Sequence, residues 1–189
     1  MYKKIENALV AMSVTKWNYW FSFIYDAAMS IILVTIGFLY GVDLLMAVVT
    51  YVAGFFFFTL VEYFAHAKLF HGWVKSLTAG HAKHHRNPIG YDAMPFFFAM
   101  FIIAPFGAAS YLFLTFEYTM VFTGGIFLGY IAYGLMHHLM HRANFKNSYF
   151  QYMKKFHDLH HEKPKMNHGV TVPFWDMVFG TFLSTKKTA

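Results

Sequence analysis

The chain contains no cysteine. That excludes disulfides, thiolate-ligated haem, cysteine-ligated iron–sulfur clusters and cysteine nucleophiles. Charge is the second shortage. Only 13% of the 189 residues are charged, against about 25% in an ordinary soluble domain. With 58% hydrophobic and 22% aromatic residues, so little charge does not cover a surface that faces water all round. Lipid is the alternative environment. The charge present is unevenly placed: Lys and Arg occur at 3, 4 and 16, from 68 to 86 and from 142 to 187, with none in 17–67 or 87–141. The net charge of +6 is thus divided among basic segments between apolar stretches, and no nucleic-acid partner is expected.

Each base-free gap has room for two spanning helices, since one needs about 20 apolar residues. The first hairpin is expected to span Trp17–Tyr40, turn at Gly41-Val42-Asp43 and return through Leu44–Tyr63. The second is expected over Met94–Phe116, with a turn at Glu117-Tyr118 and a return through Thr119–Met136. Pro95 and Pro105 fall in the third of these spans, where proline removes a backbone donor and kinks a helix. Both turns carry an acid and no base, so all basic segments lie on one side, which the positive-inside rule makes cytoplasmic, termini included. Trp17, Tyr19 and Trp20 fit an interfacial aromatic belt. Residues 1–16 read as a short interfacial helix rather than a cleaved leader, because their apolar run is broken. Asp26 falls near the middle of the first span, where an acid is costly and marks a functional or pairing role.

What the chain has in excess is histidine: twelve, of which ten fall in four compact sets. In a helix, residues three and four apart share a face. His81, His84 and His85 have offsets of 0, 3 and 4, and His157, His160 and His161 repeat them. His137 and His141 project together, whereas His138 points about 100° away. His66 and His71 diverge by about 140° on an ideal α-helix and converge only if the helix ends or bends between them, as Gly72 suggests. Two, three, two and three imidazoles suffice for two metals with about five ligands each. A histidine pH switch at a membrane surface is the competing reading. A closed structural zinc site takes four ligands and has no use for ten. Imidazole suits iron, zinc, copper and nickel, and a histidine-rich iron pair with open positions is suited to oxygen chemistry. Glu62, Asp158, Glu162 and Asp176 are candidates to orient imidazole N–H groups, with a solvated surface role favoured for Glu162.

The four sets, HxxxxH at His66–His71, HxxHH at His81–His85, HxxxH at His137–His141 and HxxHH at His157–His161, resemble the histidine boxes of the fatty acid hydroxylase/sterol desaturase superfamily. The tail "NHGVTVPFWDMVFGT", Asn167–Thr181, is similar to the segment that follows the last box there. The likeness runs from about Val61 to Thr181 and is nearest to the fatty acid 2-hydroxylases. His168 departs from it, since relatives often carry an aromatic residue after the asparagine. It stands as a further ligand, a donor supporting the ligands or a contact to a lipid headgroup. The resemblance implies an all-α integral membrane protein with about four transmembrane helices in two hairpins and a cytosolic helical cap holding a dinuclear site. The whole of 1–189 would be one domain: interfacial segment 1–16, first hairpin 17–63, histidine boxes 64–93, second hairpin 94–136, and boxes with tail 137–189.

The same resemblance implies an O₂-dependent di-iron monooxygenase acting on a membrane lipid, with a fatty acyl chain the leading substrate. A sterol or carotenoid oxidase or desaturase is the alternative within the superfamily, and a non-enzymatic metal-binding membrane protein the alternative outside it. The expected ligands are His66, His71, His81, His84, His85, His137, His141, His157, His160 and His161. His168, Asn167, Asp158, Asp176 and Glu62 are expected to support them or to lie near substrate. Expected cofactors are two iron ions with O₂ as co-substrate, zinc being able to occupy the site after purification. The expected partners are the bilayer, its lipid substrate and a separate electron-donor protein. A transporter is disfavoured, because it would place ligands near mid-membrane along a pathway. Here the boxes fall at or beyond the ends of the spans.

Overall fold

Threonine, glycine and aspartate at the helix ends set where the first long helices begin and stop. In the computed structural model, which describes residues 2–91 and 93–185, those residues are helical with no strand among them. The helices are α1 (Tyr2–Ser13), α2 (Lys16–Leu39), α3 (Leu44–Phe64), α4 (Lys75–Arg86), α5 (Phe98–Ser110), α6 (Phe116–Arg142), α7 (Ser148–Glu162) and the short α8 (Phe174–Val178). A π-helical segment, Ala65–Trp73, extends α3. The Thr15 hydroxyl caps α2 by accepting from the Asn18 N–H at 3.2 Å. Its other end closes on Gly41 at φ +90°, with Val42 N–H bonded to the Gly37 carbonyl and Gly41 N–H to that of Phe38. This is a Schellman closure, which needs the left-handed residue that glycine supplies. The Asp43 carboxylate then accepts from Met46 N–H at 3.0 Å, so the turn expected at 41–43 stops one helix and starts the next.

Among the described residues, three helical stretches are long and apolar enough to cross a membrane: Lys16–Leu39, Leu44–Trp73 and Phe116–Arg142. They cover three of the four expected spans. The expected Met94–Phe116 span instead forms α5, of 13 residues, about 20 Å long against a hydrocarbon core of about 30 Å. The helix starts late, at Phe98 rather than Met94, and stops early, at a turn over Tyr111–Phe113. The late start has a local cause. Proline disfavours helical backbone in the residue before it, and Met94 precedes Pro95. Buried Asn18 then holds this stretch outside the helix, its amide donating to the Met94 carbonyl at 3.0 Å and accepting from Phe96 N–H at 2.9 Å.

The helices divide into two compact units. The first runs to Phe58 and adds Gly90–Ile131. Its helices meet through small residues and shared hydroxyls. A methyl at Gly54 of α3 would overlap the Phe122 carbonyl of α6, and one at Gly125 would overlap that of Tyr51, so the two backbones touch. The Ser30 hydroxyl of α2 donates to the Gly124 carbonyl at 2.8 Å and pairs with the Tyr51 hydroxyl at 2.9 Å. Close backbone approach and interhelical hydroxyl bonds are how helices associate where apolar burial gives no drive. The large side chains Ile31, Leu39, Leu44 and Leu45 are left exposed on the outside. Phe96 packs on Trp17, Phe21 and Tyr25, and Phe57 on Phe106 and Phe122, so these two rings serve packing. Asp26 is buried with its Oδ1 unpartnered.

The second unit takes Thr59–Ile89 and the chain from Ala132 onward. Met140, Met153, Phe156 and Val170 form its core, flanked by Tyr133, Met136, Phe145, Tyr152 and Phe182. Asn147 caps α7, its side chain accepting from Tyr149 and Phe150 N–H. The Arg142 guanidinium donates to the Ile89 carbonyl, and Lys154 Nζ to that of Met140.

Candidate metal centre

All ten histidines of the four sets lie in the second unit. Their nitrogens converge as two groups, each with its ligand atoms within 4.8 Å of one another. One group is His66, His71, His81, His85 and His160; the other is His84, His137, His141, His157 and His161. Neither HxxHH box serves one group alone. In α4 the i and i+4 residues, His81 and His85, join the first group while His84 joins the second. In α7 the i and i+4 residues, His157 and His161, join the second group while His160 joins the first. On an α-helix i and i+4 are about 40° apart and i+3 lies about 60° to the other side, so each box straddles two sites. The rings of His85 and His161, one from each group, stack at 4.2 Å and 21°.

His66 and His71 converge for a reason other than the bend expected at Gly72. The π-helical segment Ala65–Trp73 closes its turn at i+5 rather than i+4, which places residues five apart on one face. Their rings lie 5.3 Å apart, 29° from parallel. Tyr133, one turn before His137 on α6, stacks on that ring at 5.8 Å. His138 belongs to neither group.

The nitrogens meet at separations that suit a shared cation. His66 and His81 Nε2 are 2.9 Å apart, His81 and His85 Nε2 3.0 Å, and His71 and His160 Nε2 3.1 Å. In the second group, His141 Nε2 faces those of His157, His84 and His137 at 3.0, 3.2 and 3.3 Å. A neutral imidazole has one N–H and one lone pair, so a single Nε2 cannot satisfy three such neighbours by hydrogen bonding. Metal–nitrogen bonds of about 2.0–2.1 Å place adjacent ligand nitrogens about 2.9–3.4 Å apart. Moreover, His66 Nδ1 lies 2.6 Å from the His168 carbonyl and His160 Nδ1 2.8 Å from that of Met166. A carbonyl only accepts, so each Nδ1 carries the proton and each Nε2 is left as a bare lone pair, the form that binds metal.

Burial acts in the same direction. It pushes His81, His85 and His157 below the ordinary histidine value, with neighbouring imidazoles adding to the effect at His81 and His157. His160 is lowered to about 2 and His161 to about 3, burial again being the main cause. These rings are neutral at physiological pH.

Glu62 and Asp176 bind the tail rather than an imidazole. Glu62 Oε1 accepts from Val170 N–H at 2.6 Å and Thr171 N–H at 2.9 Å, and Oε2 accepts from the Thr171 hydroxyl. Asp176 Oδ1 accepts from His168 N–H and the Thr181 hydroxyl, both at 2.7 Å, and Oδ2 from Gly169 N–H at 2.8 Å. Burial raises the Asp176 carboxyl, while its three donors favour the anion. Both carboxylates therefore hold the tail backbone, and through it the carbonyl that meets His66. A buried carbonyl-to-ring contact of this kind carries no side-chain signature, so sequence reasoning missed it. Asp158 is solvent-exposed on α7, 3.8 Å from Lys154, and Glu162 is exposed as expected.

Asn167 is a fastener within the tail. It adopts φ +57°, a left-handed conformation asparagine tolerates. Its amide donates to the Phe156 and Leu183 carbonyls and accepts from Leu183 N–H at 2.6 Å. At Gly169 an added methyl would overlap the Val172 carbonyl, so the loop closes tightly there. The His168 ring is buried, which removes it from any headgroup contact, and lies 5.5 Å from His160 and 5.7 Å from both His66 and His71. It falls outside both nitrogen groups.

Comparison with known proteins places the chain in a family. The family described as "Fatty acid hydroxylase" matches residues 51–181. The "Ceramide very long chain fatty acid hydroxylase scs7" of Schizosaccharomyces pombe is 33% identical over 163 residues, 78% of this chain and 47% of that protein. The "Dihydroceramide fatty acyl 2-hydroxylase FAH2" of Arabidopsis thaliana is 32% identical over 142 residues, 69% of this chain and 59% of that protein. The chain thus spans about half the length of these curated relatives. A solved structure, "Full length scs7p (only hydroxylase domain visible)", superposes with a TM-score of 0.79 at 26% identity, covering 93% of this chain and 70% of that one. The chain belongs to the fatty acid hydroxylase family.

Proposed function

We propose that this chain is a di-iron lipid hydroxylase that inserts one oxygen atom from O₂ into an unactivated C–H bond of a membrane fatty acyl chain. The observation that carries the reading is the pair of five-imidazole groups, each held neutral and convergent. Iron bound by these groups supplies the O₂ activation and electron transfer that no side chain provides. The balanced reaction, RH + O₂ + 2e⁻ + 2H⁺ → ROH + H₂O, requires a reductant, for which a separate electron-donor protein is proposed. Zinc binds the same imidazoles but carries no redox chemistry. The names of the relatives, a ceramide and a dihydroceramide hydroxylase, make N-acyl sphingolipids the first substrate class to test.

The residues of the chain have distinct tasks in this reading. His66, His71, His81, His85 and His160 hold one iron, and His84, His137, His141, His157 and His161 the other. The His168 and Met166 carbonyls fix the tautomers of His66 and His160. Glu62, Asn167 and Asp176 keep the tail that carries those carbonyls in place. The core of Met140, Met153 and Phe156 keeps water from the α6–α7 side of the ligands. The basic segments are proposed to lie on the cytoplasmic side, together with the termini and the metal groups.

High-resolution mass spectrometry of total lipids, from cells expressing the chain or its His160→Ala form, tests this directly. A lipid gaining one oxygen only with the intact chain is the expected result, together with reduced iron content in the variant. Loss of two hydrogens would reassign the chain to desaturation. Identical lipids, with both forms expressed and an electron donor supplied, would refute the enzyme reading and leave a metal-binding protein.

A further inference from the structure

The segment that carries the His168 carbonyl ends in α8, and α8 presents an outward side with no charge on it. Phe174, Met177, Val178 and Phe179 are 45%, 56%, 53% and 45% exposed. Between Lys165 and Lys186 the chain has no lysine or arginine, and its one acid, Asp176, is buried. A water-facing surface helix carries charged residues on its outer side, and a contiguous apolar patch marks an interaction surface.

What covers the patch follows from where α8 is fastened. The Trp175 indole N–H donates to the Thr59 hydroxyl of α3 at 2.8 Å. The Phe179 ring stacks on Tyr63 at 5.1 Å and 21°, and lies 5.1 Å from Phe64, itself 42% exposed. The Tyr63 and Thr181 hydroxyls pair at 3.0 Å. Thr59 and Phe64 lie about 22 and 30 Å along α3 from Leu44 at the helical rise, and the hydrocarbon core is about 30 Å thick. If Leu44 begins at one hydrocarbon boundary, α8 meets α3 just inside the other. Its apolar side then continues the lipid-facing surface of α3, while Trp175 sits with an apolar body and a hydrogen-bonded tip, as interfacial tryptophans do.

We infer that α8 is a lipid-seated anchor, its Phe174, Met177, Val178 and Phe179 side chains embedded at the bilayer boundary. The anchor holds by its inner side the loop on which His66 depends, because Asp176 of α8 accepts from His168 and Gly169 N–H. In the lipid hydroxylase proposed above, bilayer lipid would thus lie against the segment that orients a metal ligand. The inference rests on α3 crossing the bilayer.

Because the chain has no cysteine, Met177→Cys gives a single site for a nitroxide label on the full chain. Leu45→Cys, on the exposed side of α3, serves as the lipid control, and Asp158→Cys, on exposed α7, as the aqueous control. With the protein in phosphatidylcholine nanodiscs, collision rates are measured with apolar O₂ and with a water-soluble nickel chelate. The expected O₂-to-nickel ratio at 177 matches that at 45 and is several-fold above that at 158. A ratio equal to that at 158 would overturn the inference in favour of water, and low collision with both reagents would overturn it in favour of a protein cover. A water-like result at 45 would overturn the spanning assignment of α3 and the inference with it, whatever the lipid products show. Val178→Cys repeats the measurement if Met177→Cys does not fold.

Discussion

Replacing Asp176 by asparagine separates the role of this acid as a holder of backbone from that of a partner to imidazole. The carboxylate is fully buried and accepts from three donors, His168 N–H, Gly169 N–H and the Thr181 hydroxyl. Asparagine has the same shape but only one acceptor oxygen, and its NH₂ must face at least one N–H of the tail. Each hydrogen bond to a charged group contributes about 1.5–3 kcal/mol, and a buried donor left unsatisfied costs about 1–3 kcal/mol. The terms overlap, so the expected loss is about 2–4 kcal/mol, read as a fall in Tm of roughly 5–15 °C for a chain of this length. The His168 carbonyl would lose its fixed position beside His66, so metal in the first group should be retained less well than in the second. The assay is a thermal melt in detergent together with metal content by mass spectrometry. An Asp176→Asn protein with wild-type Tm and full metal content would refute the reasoning.

The remaining expectations rest on other parts of the structure. Gly125→Ala should cost about 1–3 kcal/mol by overpacking, since its methyl overlaps the Tyr51 carbonyl; an unchanged melt would contradict the close helix contact. Acid should destabilise the metal-free protein. His81, His85, His157, His160 and His161 all lie below the ordinary 6.5 in the fold, so below about pH 6.5 the unfolded chain binds more protons. Stability is therefore full above that value and falls as pH drops toward about 3, where His161 titrates in the fold. A Tm independent of pH from 8 to 4 would show that these rings are not buried neutral. Asp158→Asn should change stability by less than about 0.5 kcal/mol, because its partner Lys154 is 3.8 Å away at an exposed site; lost activity at unchanged fold would place it in the site after all.

The gathering of ten histidines was legible in the sequence because offsets of 0, 3 and 4 are a property of any α-helix. The long helices were legible for a similar local reason: 17–67 and 87–141 lack any base, and Gly41 and Asp43 mark a stop and a start. Local rules reached their limit where one segment answers to another. Asn18 holds the Met94–Phe96 backbone outside the helix and delays the start of α5 to Phe98, an interaction across 76 residues that no short window on the sequence contains. Glu62 and Asp176 were readable as acids near histidines, but their partners are backbone N–H groups of a tail loop, and a backbone donor looks the same at every position.

The sequence by itself determined the helical class, the apolar lengths and the faces on which imidazoles stand, because each follows from short-range periodicity and composition. Only the tertiary structure decided how the imidazoles are shared: His84 leaves its neighbours for the second group, and His160 leaves its own for the first. That partition depends on the relative rotation of α4 and α7, and rotation is set by packing rather than by spacing. Only the structure likewise turned α3 into a π-helical segment that aligns His66 with His71. Widening a turn by one residue is a departure from ideal helix geometry that contacts with other parts of the fold must hold in place.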